Sequence, residues 1–331
     1  MVSSDDKTGV IVLFVLYMVL LVAAAVYGWW VQRKRIQETK VMENAEEELA
    51  SQFIAGRSLG PFITSMTMLA SSFSGFTIVG IPEESFLLGW TSLKWVTLQV
   101  PIMIVWSGTG LRLRKASLVR NHQSPVDIIT DRFGSQILRY TIVTLQVIPE
   151  MLYLVVQLSA INKLLNPILG FPASNPAPVI LTGVVLLGLE WLGGMSCVAY
   201  TDAIQAVILI SIMLVFPVVF SHTFGGWVNL DPMTYPQPSF YQCPDTESQM
   251  AMWSTIFVAG LSSYSLPHYI QRIYAAENIK ALKIGWAIGC VAPWALNLTG
   301  VFIGTMGVYI LAGRDVEQNT FGAIINTFMV S

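Results

Sequence analysis

Charge is what this sequence has least of. Only 11% of its 331 residues are Asp, Glu, Lys or Arg, against roughly 25% in soluble globular proteins. So few charges cannot clothe a water-exposed surface of this size. With 54% apolar residues and a mean hydropathy of +0.61, the chain is expected to be a polytopic, all-α membrane protein with no soluble domain. A net charge of -2 gives no basic surface for nucleic acid. Cysteine is nearly absent too. Cys197, Cys243 and Cys290 are odd in number and far apart, which excludes a disulfide framework and metal-ligand spacing. No Ser/His/Asp set and no phosphate loop occurs, so the chain is not expected to be an enzyme or to carry a cofactor. The first apolar run, Val10 to Trp30, lacks the basic lead and small-residue cleavage site of a signal peptide. Its length, near the ~20 residues a bilayer needs, makes it a first membrane helix.

What the sequence does have is a series of such runs, near residues 10–31, 61–82, 86–111, 137–163, 179–195, 203–221, 250–270 and 284–312. They predict about eight helices in a single domain, 1–331. Basic residues orient it. Alternate loops hold Arg33, Lys34, Arg35, Lys40 and Arg57, then Arg112, Arg114, Lys115, Arg120 and Arg132, then Arg272, Lys280 and Lys283, which is 13 of the 18. Arg139 begins a helix on the same side, and only Lys7, Lys163 and Arg314 fall opposite. The positive-inside rule then places the N-terminus outside. Residues 32–60 become a solvated cytoplasmic connector. Residues 222–249, rich in proline and aromatics from Asp231 to Pro244, become an extracellular lid or a plain connection.

One of these runs is unusual. Pro61 to Pro82 carries no charge, yet its middle reads Ala70-Ser71-Ser72-Phe73-Ser74-Gly75. Small residues at mid-depth serve either close helix packing or an interrupted helix whose freed carbonyls and hydroxyls coordinate a cation or solute. The seventh run repeats the design. It is apolar from Met250 and then turns to Leu261-Ser262-Ser263-Tyr264-Ser265-Leu266-Pro267-His268. Two polar-interrupted helices five segments apart point to an inverted-repeat transporter with a central site, and they favour interruption over packing. Ser262, Ser263 and Tyr264 then face that centre.

Single polar residues carry competing readings. Lys94, expected about two turns into the third helix, either pairs with Glu83 or Glu84 or snorkels, or it meets a solute carboxylate. Asp202 reads as an N-terminal cap of the sixth helix. Glu150 and Glu190 read as structural acids, Glu150 the deeper of the two. Arg57 reads as a positive-inside anchor, and His268 as a structural partner of Pro267 rather than a proton carrier.

Three blocks carry a family resemblance. They are Phe53-Ile54-Ala55-Gly56-Arg57-Ser58-Leu59-Gly60-Pro61 leading into Ala70 to Gly75 and Gly80-Ile81-Pro82; Gly193-Gly194-Met195 with Ala199-Tyr200-Thr201-Asp202-Ala203-Ile204-Gln205; and Pro267-His268 with Gln271-Arg272 and Ala275-Ala276. Together they resemble the sodium:solute symporter family, which includes sodium/proline, sodium/pantothenate and sodium/glucose symporters. The resemblance implies a leucine-transporter-like architecture, one helix before two inverted five-helix repeats, and alternating access driven by sodium. It implies that sodium, the coupling ion, is held by the carbonyls of Ala70 and Phe73, with oxygens from a helix past the eighth. Ser72 and Ser74 line the ion or solute site, with Ser71, Gly75, Thr77, Lys94 and Trp95 as further candidates. Asp202 becomes a way-station for sodium leaving to the cytoplasm. Sodium/proline members have an aspartate where Ser72 stands, and sugar-type members have amides where this chain has Ser72 and Thr77, which ranks a sugar low. Cys197 departs from the family's small Ala or Ser. The implied partners are sodium, a small organic solute (an amino acid, monocarboxylate or vitamin-like molecule) and the lipid of the plasma membrane. The alternative is a membrane sensor or scaffold built on a symporter-like domain. Since the second repeat has only two of its helices here, the chain is expected to be a fragment of a longer transporter that cannot couple sodium to solute alone.

Overall fold

In lipid no water is present to satisfy the backbone, so long uncharged runs fold as helices. The computed structural model describes residues 4–39, 45–169, 171–172, 174–223, 243–263, 266–311 and 323–324. Its helices are α1 (Ser4–Thr39), α2 (Ala45–Ile54), α3 (Pro61–Ser72), α4 (Ile81–Leu88), α5 (Lys94–Arg120), α6 (Asp127–Phe133), α7 (Gln136–Leu169), α8 (Ala177–Thr223), α9 (Thr246–Ser262), α10 (Pro267–Ala275) and α11 (Ile279–Ile310). Among the described residues, four helices are long and apolar enough to cross a membrane, or five if the bent pair beginning with α3 counts as one span. The connector expected at 32–60 is largely helical, through the end of α1 and all of α2, and most of the 222–249 loop lies outside the described residues.

Two boundaries differ from the sequence reading. Phe86 to Leu88 finish α4 instead of opening the next span, because the chain turns at Gly89 (φ 62) and passes through a tight 3-10 turn, Gly89–Leu93. Lys94 is therefore the first residue of α5, not two turns inside it. The runs at 179–195 and 203–221 are arms of one helical stretch, α8, kinked at Gly194 (φ 53, ψ -146). That conformation is open only to glycine. A Cβ there would strike the Gln52 carbonyl and lie 2.8 Å from the Gln52 Cδ. Gly194→Ala is therefore expected to cost about 3 kcal/mol or more, since backbone strain and a backbone clash add. A melting temperature unchanged from wild type would show that the kink can relax. Cys197, one turn on, donates its thiol to the Ala25 carbonyl at 3.0 Å, which ties α8 to α1.

The core forms where α3 lies between α8 and α11, and α11 packs on α3, α4 and α5. Small residues on α11 make this close. Gly285 faces Met68, and Gly304 lies against Ser85. Below, Ile54, Leu59, Trp106, Ile273, Tyr274 and Leu282 form a buried apolar cluster. α7 is peripheral, with Leu145, Leu152 and Val155 exposed, as suits a lipid-facing helix.

The connector end is closed by polar bonds. Ala55, Gly56 and Arg57 all have positive φ (51, 56 and 59), a conformation that two of the three do not favour on their own. This turn aims the Arg57 guanidinium at the Ser117 hydroxyl (2.7 Å), Asn121 Oδ1 (3.1 Å) and the His122 carbonyl (3.0 Å). Burial pushes the Arg57 pKa below its ordinary value. Leu59 and Ala276 form an isolated parallel bridge, and Arg114 donates to the carbonyls of Tyr274 (2.6 Å) and Glu277 (3.3 Å).

Candidate functional site

The helix that starts at Pro61 stops at Ser72 because its side chains compete for its backbone. Phe73 is extended (φ -106, ψ 138), and its amide bonds the Ala70 carbonyl. The amides that follow find substitutes. Ser74 N–H donates to Thr77 Oγ1 (3.3 Å), Gly75 N–H to Gln157 Oε1 (2.5 Å), and Phe76 N–H to Ser74 Oγ (3.2 Å). Gly75 is needed for the approach of α7, because a Cβ there would lie 2.7 Å from that of Ala160. The helix resumes as a π turn, Phe76–Gly80, and the two parts are bent by 53°.

The second interruption lies between α9 and α10. Ser263 caps α9, and Pro267, which has no N–H to give, is well suited to start α10. Tyr264 lies outside the described residues.

Both interruptions open on one cavity of about 570 Å³, walled also by α5, α7 and α11. In its wall Ser72 Oγ and Tyr269 Oη are hydrogen-bonded at 2.9 Å, which joins the end of α3 to α10. Of the residues singled out from the sequence, Ser71, Ser72, Ser74, Thr77, Trp95, Glu84, Glu150 and His268 line it, and Gly75 and Lys94 do not. Ala70 and Phe73 stand at the break itself. Ser262 and Ser263 turn back, their hydroxyls bonding the Ala259 and Gly260 carbonyls of their own helix, and neither lines the cavity. The sequence reading missed Gln99, Tyr153, Tyr269 and Asn297, which do line it. An available signal was the polar Gln99 and Asn297 inside apolar runs.

Three charged clusters surround this cavity. Lys94 Nζ is 2.5 Å from Glu84 Oε1, and Trp95 Nε1–H donates to Glu84 Oε2 at 2.7 Å. Of the readings open for Lys94, the geometry selects the ion pair with Glu84, and Glu83 pairs instead with Lys163 at 3.2 Å. Lys94→Met is therefore expected to destabilise the fold by about 3 kcal/mol, the low end for breaking a buried pair because both side chains keep some exposure. Adding Glu84→Gln should recover part of the loss. A wild-type melting temperature with weakened solute affinity would overturn the pairing role.

Asp202 is not a helix cap. It lies inside the second arm of α8, about two turns beyond the Gly194 kink. Its Oδ2 accepts from Arg272 (2.7 Å) and Thr67 (2.5 Å). Arg272 also donates to the Thr67 carbonyl and hydroxyl and to the His268 carbonyl. One guanidinium thus clamps α3, α8 and α10 together. The third cluster is Glu150 on α7, whose Oε1 is 3.1 Å from His268 Nδ1 on α10. Both residues face the cavity.

Two interrupted helical elements facing a common cavity have the architecture of secondary transporters. The chain belongs to the sodium:solute symporter family, whose model matches residues 52–322, so it is a multi-pass membrane protein of a symporter family and not of an enzyme family. It is 26% identical over 282 residues to the High-affinity proline transporter PutP of Bacillus subtilis, covering 82% of this chain and 58% of that protein. It is 24% identical over 309 residues to a Sodium/proline symporter of Staphylococcus aureus, covering 90% of this chain and 57% of that one. The chain thus spans somewhat over half the length of these relatives. In fold it is similar to a Na+-coupled sialic acid symporter solved in a substrate-bound outward-open state, with a TM-score of 0.67 and 16% identity, covering 99% of this chain and 65% of that structure.

Proposed function

We propose that the protein works as a sodium-coupled symporter of a small organic solute, moved by alternating access. The observation that carries this reading is the shared cavity, into which both helix interruptions open and in whose wall Ser72 bonds Tyr269 at 2.9 Å. Sodium is held at the end of α3 by the carbonyls of Ala70 and Phe73, with the hydroxyls of Ser72 and Ser74 close by. Neutral oxygens suit a hard monovalent cation, and a broken helix supplies them without a carboxylate. The solute occupies the cavity. Relatives named for proline put an amino or imino acid ahead of monocarboxylates and vitamins. Asp202, bound to Arg272, is a step on the route by which sodium leaves.

The latch of Arg57, Arg114 and the Leu59–Ala276 bridge lies at the end rich in basic residues. We assign that end to the cytoplasm and the N-terminus to the outside of the plasma membrane. In this reading the latch must open for the solute to leave inward.

The test is uptake of labelled proline and other amino acids by the full-length protein in liposomes under an inward sodium gradient. Accumulation should collapse when potassium replaces sodium. Accumulation that is equal in potassium, or none with any amino acid, monocarboxylate or vitamin tried, would overturn the reading.

A further inference from the structure

A separate hollow of about 400 Å³ lies between α1 and α8, away from the central cavity. Ala25, Val26, Trp29 and Arg33 form its wall on α1, and Leu189 and Cys197 form its wall on α8. The four α1 residues fall at helical spacing and so share one face. Leu189 and Cys197 stand on either side of the Gly194 kink, so the hollow sits at the bend of α8. Its wall is apolar apart from the guanidinium of Arg33. Glu190, next to Leu189 in sequence, does not line it.

Arg33 is poised rather than paired. Its Cζ lies 4.3 Å from the centroid of the Trp29 ring. Stacking of this kind uses the flat face of the guanidinium and leaves its N–H edge open. The side chain is exposed, and among the described residues its N–H groups have no acceptor. Two bonds fix this end of α1. Gln32 Nε2 donates to the Ser51 carbonyl at 2.9 Å, and Arg35 Nη1 to the Ser58 carbonyl at 2.6 Å. Lys34 Nζ lies 5.5 Å from the Trp30 ring. Two tryptophans followed by Arg33, Lys34 and Arg35 are the pattern of a helix leaving the hydrocarbon for the headgroup layer. The hollow thus has apolar walls on the membrane side and an open cation at the water end.

We infer that this hollow is a binding site for one anionic phospholipid, its phosphate on Arg33 and part of an acyl chain against Ala25, Val26 and Leu189. The planar fork of a guanidinium matches two phosphate oxygens. Three basic residues in a row favour a headgroup of net negative charge over a zwitterionic one, whose own ammonium offsets its phosphate. The apolar wall suits a chain and offers nothing to a free phosphate ion. The site does not depend on the transport reading, since it lies outside the central cavity.

The test uses the full-length protein, stripped of lipid in detergent and titrated with phosphatidylglycerol, phosphatidylcholine of the same chains, or inorganic phosphate. Native mass spectrometry counts the bound molecules. Phosphatidylglycerol should bind tightly at one site, and phosphatidylcholine and inorganic phosphate more weakly. Arg33→Ala should weaken phosphatidylglycerol binding by about tenfold to a hundredfold, the range for losing a hydrogen bond to a charged group. Val26→Trp, which fills the hollow and leaves the charge in place, should weaken it as well. Lys115→Ala removes a basic residue at the same end of the molecule, outside the hollow, and should leave binding unchanged. If either of the first two variants does not fold, the other and the comparison of lipids on the wild type still decide. Equal binding of the two phospholipids, or of inorganic phosphate, would overturn the inference. So would full binding by Arg33→Ala, or an equal loss in Lys115→Ala, which would mean attraction to basic charge in general. A dimer that Val26→Trp dissociates would mean that a second copy of the chain fills the hollow, and would overturn it too.

Discussion

Arg272→Met is expected to leave little stably folded protein. Arg272 is 8% exposed and donates to Asp202 Oδ2 at 2.7 Å, to both Thr67 oxygens and to the His268 carbonyl. Methionine fills similar space but removes every one of those bonds and leaves the Asp202 charge uncompensated. Breaking a buried pair in this way costs about 3–5 kcal/mol, a large share of the ~5–15 kcal/mol that holds a typical domain. The carboxylate is the reason for the size of the effect, so the double variant Arg272→Met with Asp202→Leu should recover most of it. Thermal unfolding of the purified protein in nanodiscs measures both. A single variant melting within a few degrees of wild type would mean that α3, α8 and α10 are held together by packing alone.

Ser72→Leu should produce the second large effect, on transport instead of folding. Ser72 is the last residue of α3. Its hydroxyl bonds the Met68 carbonyl (3.2 Å) as well as Tyr269 Oη. Leucine removes that link, a loss of about 1 kcal/mol. More important, it places a branched side chain at the mouth of the break, in the cavity proposed to hold the solute. Sodium-dependent uptake should fall by more than about tenfold, because a displacement of even 1 Å at such a site costs much of its efficiency. Membrane insertion, read by surface labelling, should be unchanged. Uptake at wild-type level would reduce Ser72 to a packing residue. Ser74→Leu is expected to act likewise, with added loss of fold because Ser74 Oγ accepts the Phe76 amide.

Lys94 and Asp202 show where sequence reading stops. Both were recognisable as polar residues out of place among apolar neighbours, and for both the sequence left more than one role open. The choice turned on partners. For Lys94 the partner, Glu84, is ten residues away, and the pair forms because Gly89 turns the chain between them. For Asp202 the partners are 70 and 135 residues away, and only the crossing of α3, α8 and α10 brings them together. The same holds for Glu150 and His268, 118 residues apart. Each reads alone as structural, and only the packing of α7 against α10 brings the two together at the cavity.

The sequence by itself determined the helical membrane class and the interruption after Ser72, together with a second one before Pro267. Those outcomes are local. Twenty uncharged apolar residues must close their own hydrogen bonds in lipid, and serine hydroxyls, glycine and proline compete with that closure within a few residues of where they stand. Only the tertiary structure decided that the two interruptions share one cavity, that Ser262 and Ser263 bond back to their own helix while Tyr269 and Asn297 line it, and that Glu150 and His268 meet at its wall. The physical reason is that a side chain's neighbours across helices depend on rotation, tilt and kink. A turn at Gly89 or a bend at Gly194 shifts every residue beyond it, and these angles are set by packing over the whole bundle.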